Sequence, residues 1–193
     1  MAADYLFIIR HGETEANEKG IEAGPLDYPL TKKGVKEASF IAKTLSRVEI
    51  NAVYSSPVFR AVETAKILAR PHKLKVKTLE ELTEAKLKPR FVGKKGRHHI
   101  LTTPAAFSET NKELLERTGK AIEIIKKEAE GNVIVVSHGD VITAMLEGVV
   151  ERTVSSENYY TLHPDPGALS IVEIKGRPFL ILHNYHRKMF SDF

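Results

Sequence analysis

Two continuous apolar runs constrain this chain more than any other feature: Tyr5–Arg10 (YLFIIR) and Asn132–Ser137 (NVIVVS). Bounded by polar residues and free of the alternation seen in half-exposed strands, they suit central strands covered on both faces. A third run, Ile50–Ser56, leads at once into a helix over about Val58–Ala69, with Ser56 as N-cap and Pro57 as first helical residue. Thr31 caps an earlier helix in TKKGVKEASFIAKTL, with Val35, Ala38, Ile41, Ala42 and Leu45 on one face. A long helix falls between Ser108 and Glu130, buried through Leu114, Leu115, Ile122, Ile124 and Ile125, and a shorter one over Gly139–Val149 follows the second apolar run. Two more strands, Ala168–Ile174 and Pro178–His183, flank Lys175-Gly176-Arg177. Strands alternating with helices predict an α/β fold: three layers, α/β/α, with a mostly parallel central sheet.

The 193 residues suit a single domain over 1–193. Its least regular part is a long loop around 85–104. That loop is basic: Lys86, Lys88, Arg90, Lys94, Lys95 and Arg97 accumulate with no acidic residue from Ala85 to Ser108. Such a patch either attracts anions or is a solvated charged face. The absence of cysteine removes disulfides, thiolate zinc sites and cysteine nucleophiles. YLFII is too short for a secretory core and no run is long enough to span a bilayer, so the expectation is a cytoplasmic protein with no membrane partner.

Three strand ends deliver polar groups. Arg10 and His11 follow the first strand, Ser55, Ser56 and Arg60 follow the third run, and His138 and Gly139 follow VIVVS. In open α/β sheets ligands bind at this edge, and the helices that start there add backbone N–H groups and partial positive charge. Two arginines, two histidines and a helix start converge on one spot, and the occupant that fits them is a phosphoryl group, whose oxygens match guanidinium forks. A metal is the competing occupant for paired histidines, but no carboxylate cluster in the sequence completes a shell, so none is expected. Ser55 and Ser56 read as helix caps rather than nucleophiles. His72, His183 and His186 read as loop, structural or surface groups, Tyr159-Tyr160 as packing, and His98-His99 as loop residues within reach of a substrate.

RHGET with Asn17, SSPVFRAVETA, the acidic ELTEA and SHGD occur in the order of the histidine phosphatase superfamily, the phosphoglycerate-mutase-like group. DYPLTKKGVKEA, and Glu109 with Arg117, extend the resemblance from Tyr5 to about Gly148. The resemblance implies that His11 is the nucleophile, forming a phosphohistidine without a cofactor or metal. It also implies that Arg10, Arg60, His138 and Asn17, with Gly139 beside them, hold the phosphate, and that Glu84 protonates the leaving oxygen. Glu80 and Glu81 compete with Glu84 as carboxylates close in sequence.

The implied activity is hydrolysis of small phosphomonoesters, with broad specificity compatible. The alternative is a 2,3-bisphosphoglycerate-dependent phosphoglycerate mutase. The mutases in this comparison are longer and carry extra segments after the acidic motif, so the chain sits nearer the phosphatases. The sequence EAKLKPRFVGKKGRHH departs from the glycine and acidic-glycine pattern of many relatives, which makes a polyanionic substrate attractive. The expected partner is a small phosphorylated metabolite. A pure binding module, including one for nucleic acid, is disfavoured because it needs no nucleophile beside its phosphate clamp. A homodimer is compatible with the sequence and not specified by it.

Overall fold

The computed structural model describes residues 3–96, 98–150 and 159–186. In chain order the elements are β1 (Ala3–Arg10), α1 (Glu15–Lys19), α2 (Lys32–Leu45), β2 (Ala52–Ser55), α3 (Phe59–Ala69) and β3 (Val76–Thr78). There follow α4 (Asn111–Glu128), β4 (Gly131–Ser137), α5 (Gly139–Val150), β5 (Leu169–Glu173) and β6 (Phe179–Tyr185). The strands form a six-stranded sheet ordered β3-β2-β4-β1-β5-β6. The β3, β2, β4 and β1 neighbours pair in parallel, and β5 and β6 add an antiparallel edge. This is the three-layer α/β/α arrangement that the alternating elements predict.

Both faces of the sheet are covered because each central strand sends alternate side chains to opposite layers. Leu6 and Ile8 of β1, Tyr54 of β2 and Val133 and Val135 of β4 pack with Leu114, Ile125, Ile142 and Met145 from α4 and α5. Phe7, Ile9, Val53, Ile134 and Val136 face the other way, toward Ile41, Leu45, Ala61, Ala65 and Leu68 from α2 and α3. Full burial of an aliphatic chain such as Ile8 or Ile134 is worth about 1.5–3 kcal/mol, so these strands anchor whatever follows them.

The helix starts differ from the sequence expectation in one place. Thr31 caps α2 through the Gly34 N–H, and Thr110 and Glu113 form a capping box that starts α4. The third helix, α3, instead begins at Phe59 behind Val58, which makes no side-chain cap. Ser56 lies outside that helix, and its hydroxyl bonds His138 Nε2 at 2.8 Å while accepting from Val58 N–H at 3.3 Å. Val35 is also not part of the buried stripe, being 43% exposed, and Gly34 and Glu37 take the inward positions. The α2 start is drawn unusually close to β1: a Cβ at Gly34 would lie 2.1 Å from Glu13 O, and one at Gly12 would lie 2.5 Å from Gly34 O. Gly12 is thus required by close backbone approach rather than by a left-handed turn, since its φ is not positive.

Candidate active site

Register decides which residues meet. Arg10 at the end of β1 pairs with Ser137 of β4, and Ser55 at the end of β2 pairs with Val136. The residues that follow, His11, Ser56 and His138, therefore emerge side by side at the carboxyl edge of the parallel strands. Arg60 comes from the first turn of α3 and, like both histidines, is buried. Its Nε–H donates to His11 Nε2 at 3.2 Å and Nη2 lies 3.3 Å from His138 Nδ1. Its two Nη atoms also donate to Leu26 O and Gly24 O, which locks the guanidinium plane. The two imidazoles meet edge to face, with centroids 5.2 Å apart.

These contacts fix the tautomers. His11 Nδ1 lies 2.9 Å from Gly12 O, which can only accept, so the ring proton sits on Nδ1 and the lone pair on Nε2 faces Arg60. Burial, then the charges of Arg60 and Arg10, holds the pKa of His11 well below the ordinary histidine value. His138 is held well below that value by burial, Arg60, the neighbouring His11 and Arg10. Both rings are neutral at neutral pH. His138 Nδ1 accepts from Arg60, so Nε2 carries its proton toward Ser56 Oγ.

Glu84 completes the ring of groups. Its Oε2 lies 3.6 Å from His138 Nδ1, and its side chain is 24% exposed. Burial raises its pKa against the opposing pull of Arg60, the Ala85 N–H and Arg10. Of the three carboxylates close in sequence, Glu84 lines the cavity, whereas Glu80 and Glu81 lie in a single 3₁₀ turn that precedes it. The backbone that carries it is clamped. Arg117 donates to Glu81 O and Thr83 O at 2.7 and 2.8 Å, and Ser137 Oγ donates to Leu82 O. Arg117 is itself held bidentately by Glu109, whose other contact is the Lys86 N–H.

Arg10, His11, Arg60 and Glu84 line a cavity of about 750 Å³, whereas His138, expected from the sequence to hold phosphate, is fully buried behind Arg60 and is not part of the wall. Asn17 and Gly139 line it too. Asn17 Oδ1 accepts from the Thr14 N–H and hydroxyl, which leaves its NH₂ as the donating end of the amide. Arg10 Nη1 donates to Pro164 O at 2.7 Å and lies 3.1 Å from His163 Nε2. Among the described residues its buried Nε–H has no acceptor.

His98 and His99 reach the cavity wall, but the basic side chains of their loop do not. Lys86, Arg90, Lys94 and Lys95 are exposed, and Lys88 donates to Ala105 O at the surface. Arg97 lies outside the described residues. The loop instead docks by backbone pairing: Gly93 N–H donates to Glu22 O, Glu22 N–H to Lys94 O and Gly96 N–H to Gly20 O. Glu13, Glu22, Glu37 and Asp165 stand in the wall beyond the two arginines. Lys33 is in the wall as well but pairs with Glu13, so the lining gives the expected polyanionic substrate little support.

Sequence reasoning missed several residues. Ser56 was read as a cap, and Asp140, Tyr159 and His163 had no periodic signal to mark them. Among the described residues His99, Asp140 and His163 are close enough to hold an ion, with ligand atoms within 4.8 Å of one another. The atoms of Asp140 and His163 are already engaged by Tyr159, the Ile100 N–H and Arg10. An added dication would share that corner with the Arg10 guanidinium. His183 bonds Ser170 Oγ, and His186 pairs with Asp165, as structural groups do.

The molecule is thus an α/β protein whose cavity, at the carboxyl ends of its parallel strands, carries Arg10, His11, Arg60 and Glu84. The chain belongs to the histidine phosphatase superfamily, whose branch 1 family model matches residues 6–185. It is 30% identical to a 2,3-bisphosphoglycerate-dependent phosphoglycerate mutase of Thermoplasma acidophilum over 87% of this chain and 86% of that protein. It is 26% identical to the adenosylcobalamin/alpha-ribazole phosphatase of Escherichia coli, over 88% and 89% of the two chains. The fold is shared with the alpha-ribazole phosphatase of Shigella flexneri, with a TM-score of 0.78 at 24% identity over 94% of this chain and 96% of that one.

Proposed function

We propose that this protein is a metal-independent phosphatase that hydrolyses small phosphomonoesters through a phosphohistidine on His11. The observation that carries the reading is the His11 imidazole, held neutral with its Nε2 lone pair against Arg60 inside the cavity. In this scheme Nε2 attacks phosphorus and the ester oxygen leaves with a proton from Glu84. Water then attacks the phosphohistidine, with Glu84 as base, and returns His11. Arg10 offers its Nε edge, Arg60 its guanidinium and Asn17 its NH₂ to the oxygens on which charge develops. His138 stands behind them, where its Nδ1 meets Arg60 and holds that guanidinium in place. Two guanidiniums provide the positive charge a metal would otherwise bring. No helix among the described residues is long and apolar enough to cross a membrane, and a small soluble metabolite is the substrate class that fits the cavity.

The test is product analysis with 3-phosphoglycerate, with and without 2,3-bisphosphoglycerate, beside an aryl phosphate. Phosphate release is expected from both. Rapid 2-phosphoglycerate formation dependent on the bisphosphate would overturn the hydrolytic reading in favour of the mutase, which the similarity to the Thermoplasma protein keeps as the second reading.

The acid role has its own signature. Glu84→Gln should slow alkyl phosphates by about 10²–10⁴-fold, and aryl phosphates, whose leaving groups need no proton, far less. The pH profile follows from the two shifts. His11 stays neutral below the ordinary histidine range, so the acid limb lies low. Glu84 keeps its proton above the ordinary carboxylate range, and alkyl phosphate turnover falls as pH rises through its raised pKa. Equal losses on both substrate types, or an unchanged alkaline limb in the variant, would remove Glu84 from the role.

A further inference from the structure

From Arg10 a connected line of half-buried and buried polar side chains, His163, Tyr159 and Asp140, runs back from the cavity wall, and the scheme above leaves these three unused. Arg10 Nη1 carries two hydrogens, directed at Pro164 O and His163 Nε2. A guanidinium only donates, so His163 Nε2 must accept and its proton must sit on Nδ1. His163 Nδ1 meets the Tyr159 hydroxyl, which in turn meets Asp140 Oδ1. Asp140 Oδ1 also accepts the Ile100 N–H at 3.2 Å. The chain of donors thus has one consistent direction: guanidinium to imidazole, imidazole to phenol, phenol to carboxylate.

A second observation is independent of these bonds. A Cβ on Gly139 would lie 2.3 Å from His163 Cε1 and 3.3 Å from Arg10 Cζ. The glycine of SHGD leaves the space in which His163 lies against Arg10. With Nη1 taken up on the far side, the edge of Arg10 that remains for an anion is Nε with Nη2, and Nε–H is the buried donor with no acceptor among the described residues. That edge is a planar fork matched to two phosphate oxygens.

We propose that His163 is a positioning residue, kept in one tautomer by Tyr159 and Asp140, that turns the Nε–Nη2 edge of Arg10 toward the phosphoryl group. The proposal rests on the reading of the cavity as a phosphoryl site, and not on whether water or a second substrate accepts the group. His163 acts on the transferred group and not on the leaving group, which separates its signature from that of Glu84.

The test is a double-mutant cycle on the full chain, read by titration with inorganic phosphate and by kcat and KM on aryl and alkyl phosphates. His163→Leu should weaken phosphate binding about tenfold and lower kcat/KM by about 10–100-fold, equally for both substrate types. His163→Gln, whose carbonyl reaches the Nε2 position, should recover activity to within about threefold of wild type, and Tyr159→Phe should lose several-fold. In an Arg10→Ala background the same His163 and Tyr159 substitutions should change phosphate affinity by less than about twofold, because coupled sites are non-additive. Equal losses in both backgrounds would overturn the proposal. So would normal phosphate binding in His163→Leu, or activity lost to a chelator and restored by Zn²⁺, which would make the cluster a metal site. Should His163→Leu not fold, Tyr159→Phe and His163→Gln run through the same cycle decide it. A wild-type protein without turnover whose phosphate binding still depends on His163 would defeat the phosphatase reading and leave this one standing.

Discussion

His11→Ala is expected to abolish turnover, by about 10⁶-fold, the scale of loss when an activated nucleophile is removed. Acid-labile phosphoryl labelling, visible in wild type when a labelled substrate is quenched in mid-turnover, should disappear with it. The fold should survive, since the His11 backbone hydrogen bonds to Ser137 and Gly167 do not depend on its side chain, and the neighbouring anchors Ile8 and Ile9 are untouched. A thermal melt close to wild type therefore belongs to the expected result. Full activity in the variant, or turnover that strictly requires an added metal, would end the phosphohistidine scheme.

Arg60 should be the next largest loss. Arg60→Ala removes a group that bonds both imidazoles, and loss of a transition-state guanidinium costs about 10³–10⁵-fold. Arg60→Lys keeps the charge but not the fork, and it should remain far below wild type because one ammonium cannot reach His11, His138 and two carbonyls at once. A second readout follows from electrostatics. After burial, Arg60 is the largest influence lowering the pKa of both histidines. Its removal should let His11 take a proton at higher pH, moving the acid limb of the rate profile toward neutrality. Titration of the two imidazoles by NMR checks this directly. An acid limb that stays in place would mean that burial alone depresses the histidines, and wild-type activity in Arg60→Lys would remove the bidentate role.

What could be read in the sequence has a common physical basis. Arg10, His11, Arg60 and His138 each follow a strand or open a helix whose apolar pattern fixes its place in the sheet. Once the strands are parallel, their carboxyl ends must share an edge. Glu84 was legible only through the resemblance, because it lies in irregular backbone held by Arg117 and Glu109 rather than by a repeating pattern. Ser56 was misread for a related reason: a serine before a proline carries a capping signal. Here the imidazole of His138, brought in from β4, binds its hydroxyl instead. Of the two readings of the basic loop, the solvated charged face holds for its described lysines and Arg90; composition could not choose, since net charge says nothing about which way a lysine points.

The layered sheet, the strand ends and the cationic groups on them follow from local pattern along the chain, because hydrophobic periodicity and covalent adjacency are local properties. The proton positions on the two histidines, the outward face of the basic loop and the meeting of His163, Tyr159 and Asp140 with Arg10 come from packing in three dimensions. Those facts depend on donors and acceptors that lie far apart in the chain, such as Arg10 and His163, 153 positions apart. Their partners are chosen by packing and desolvation, which no local pattern encodes.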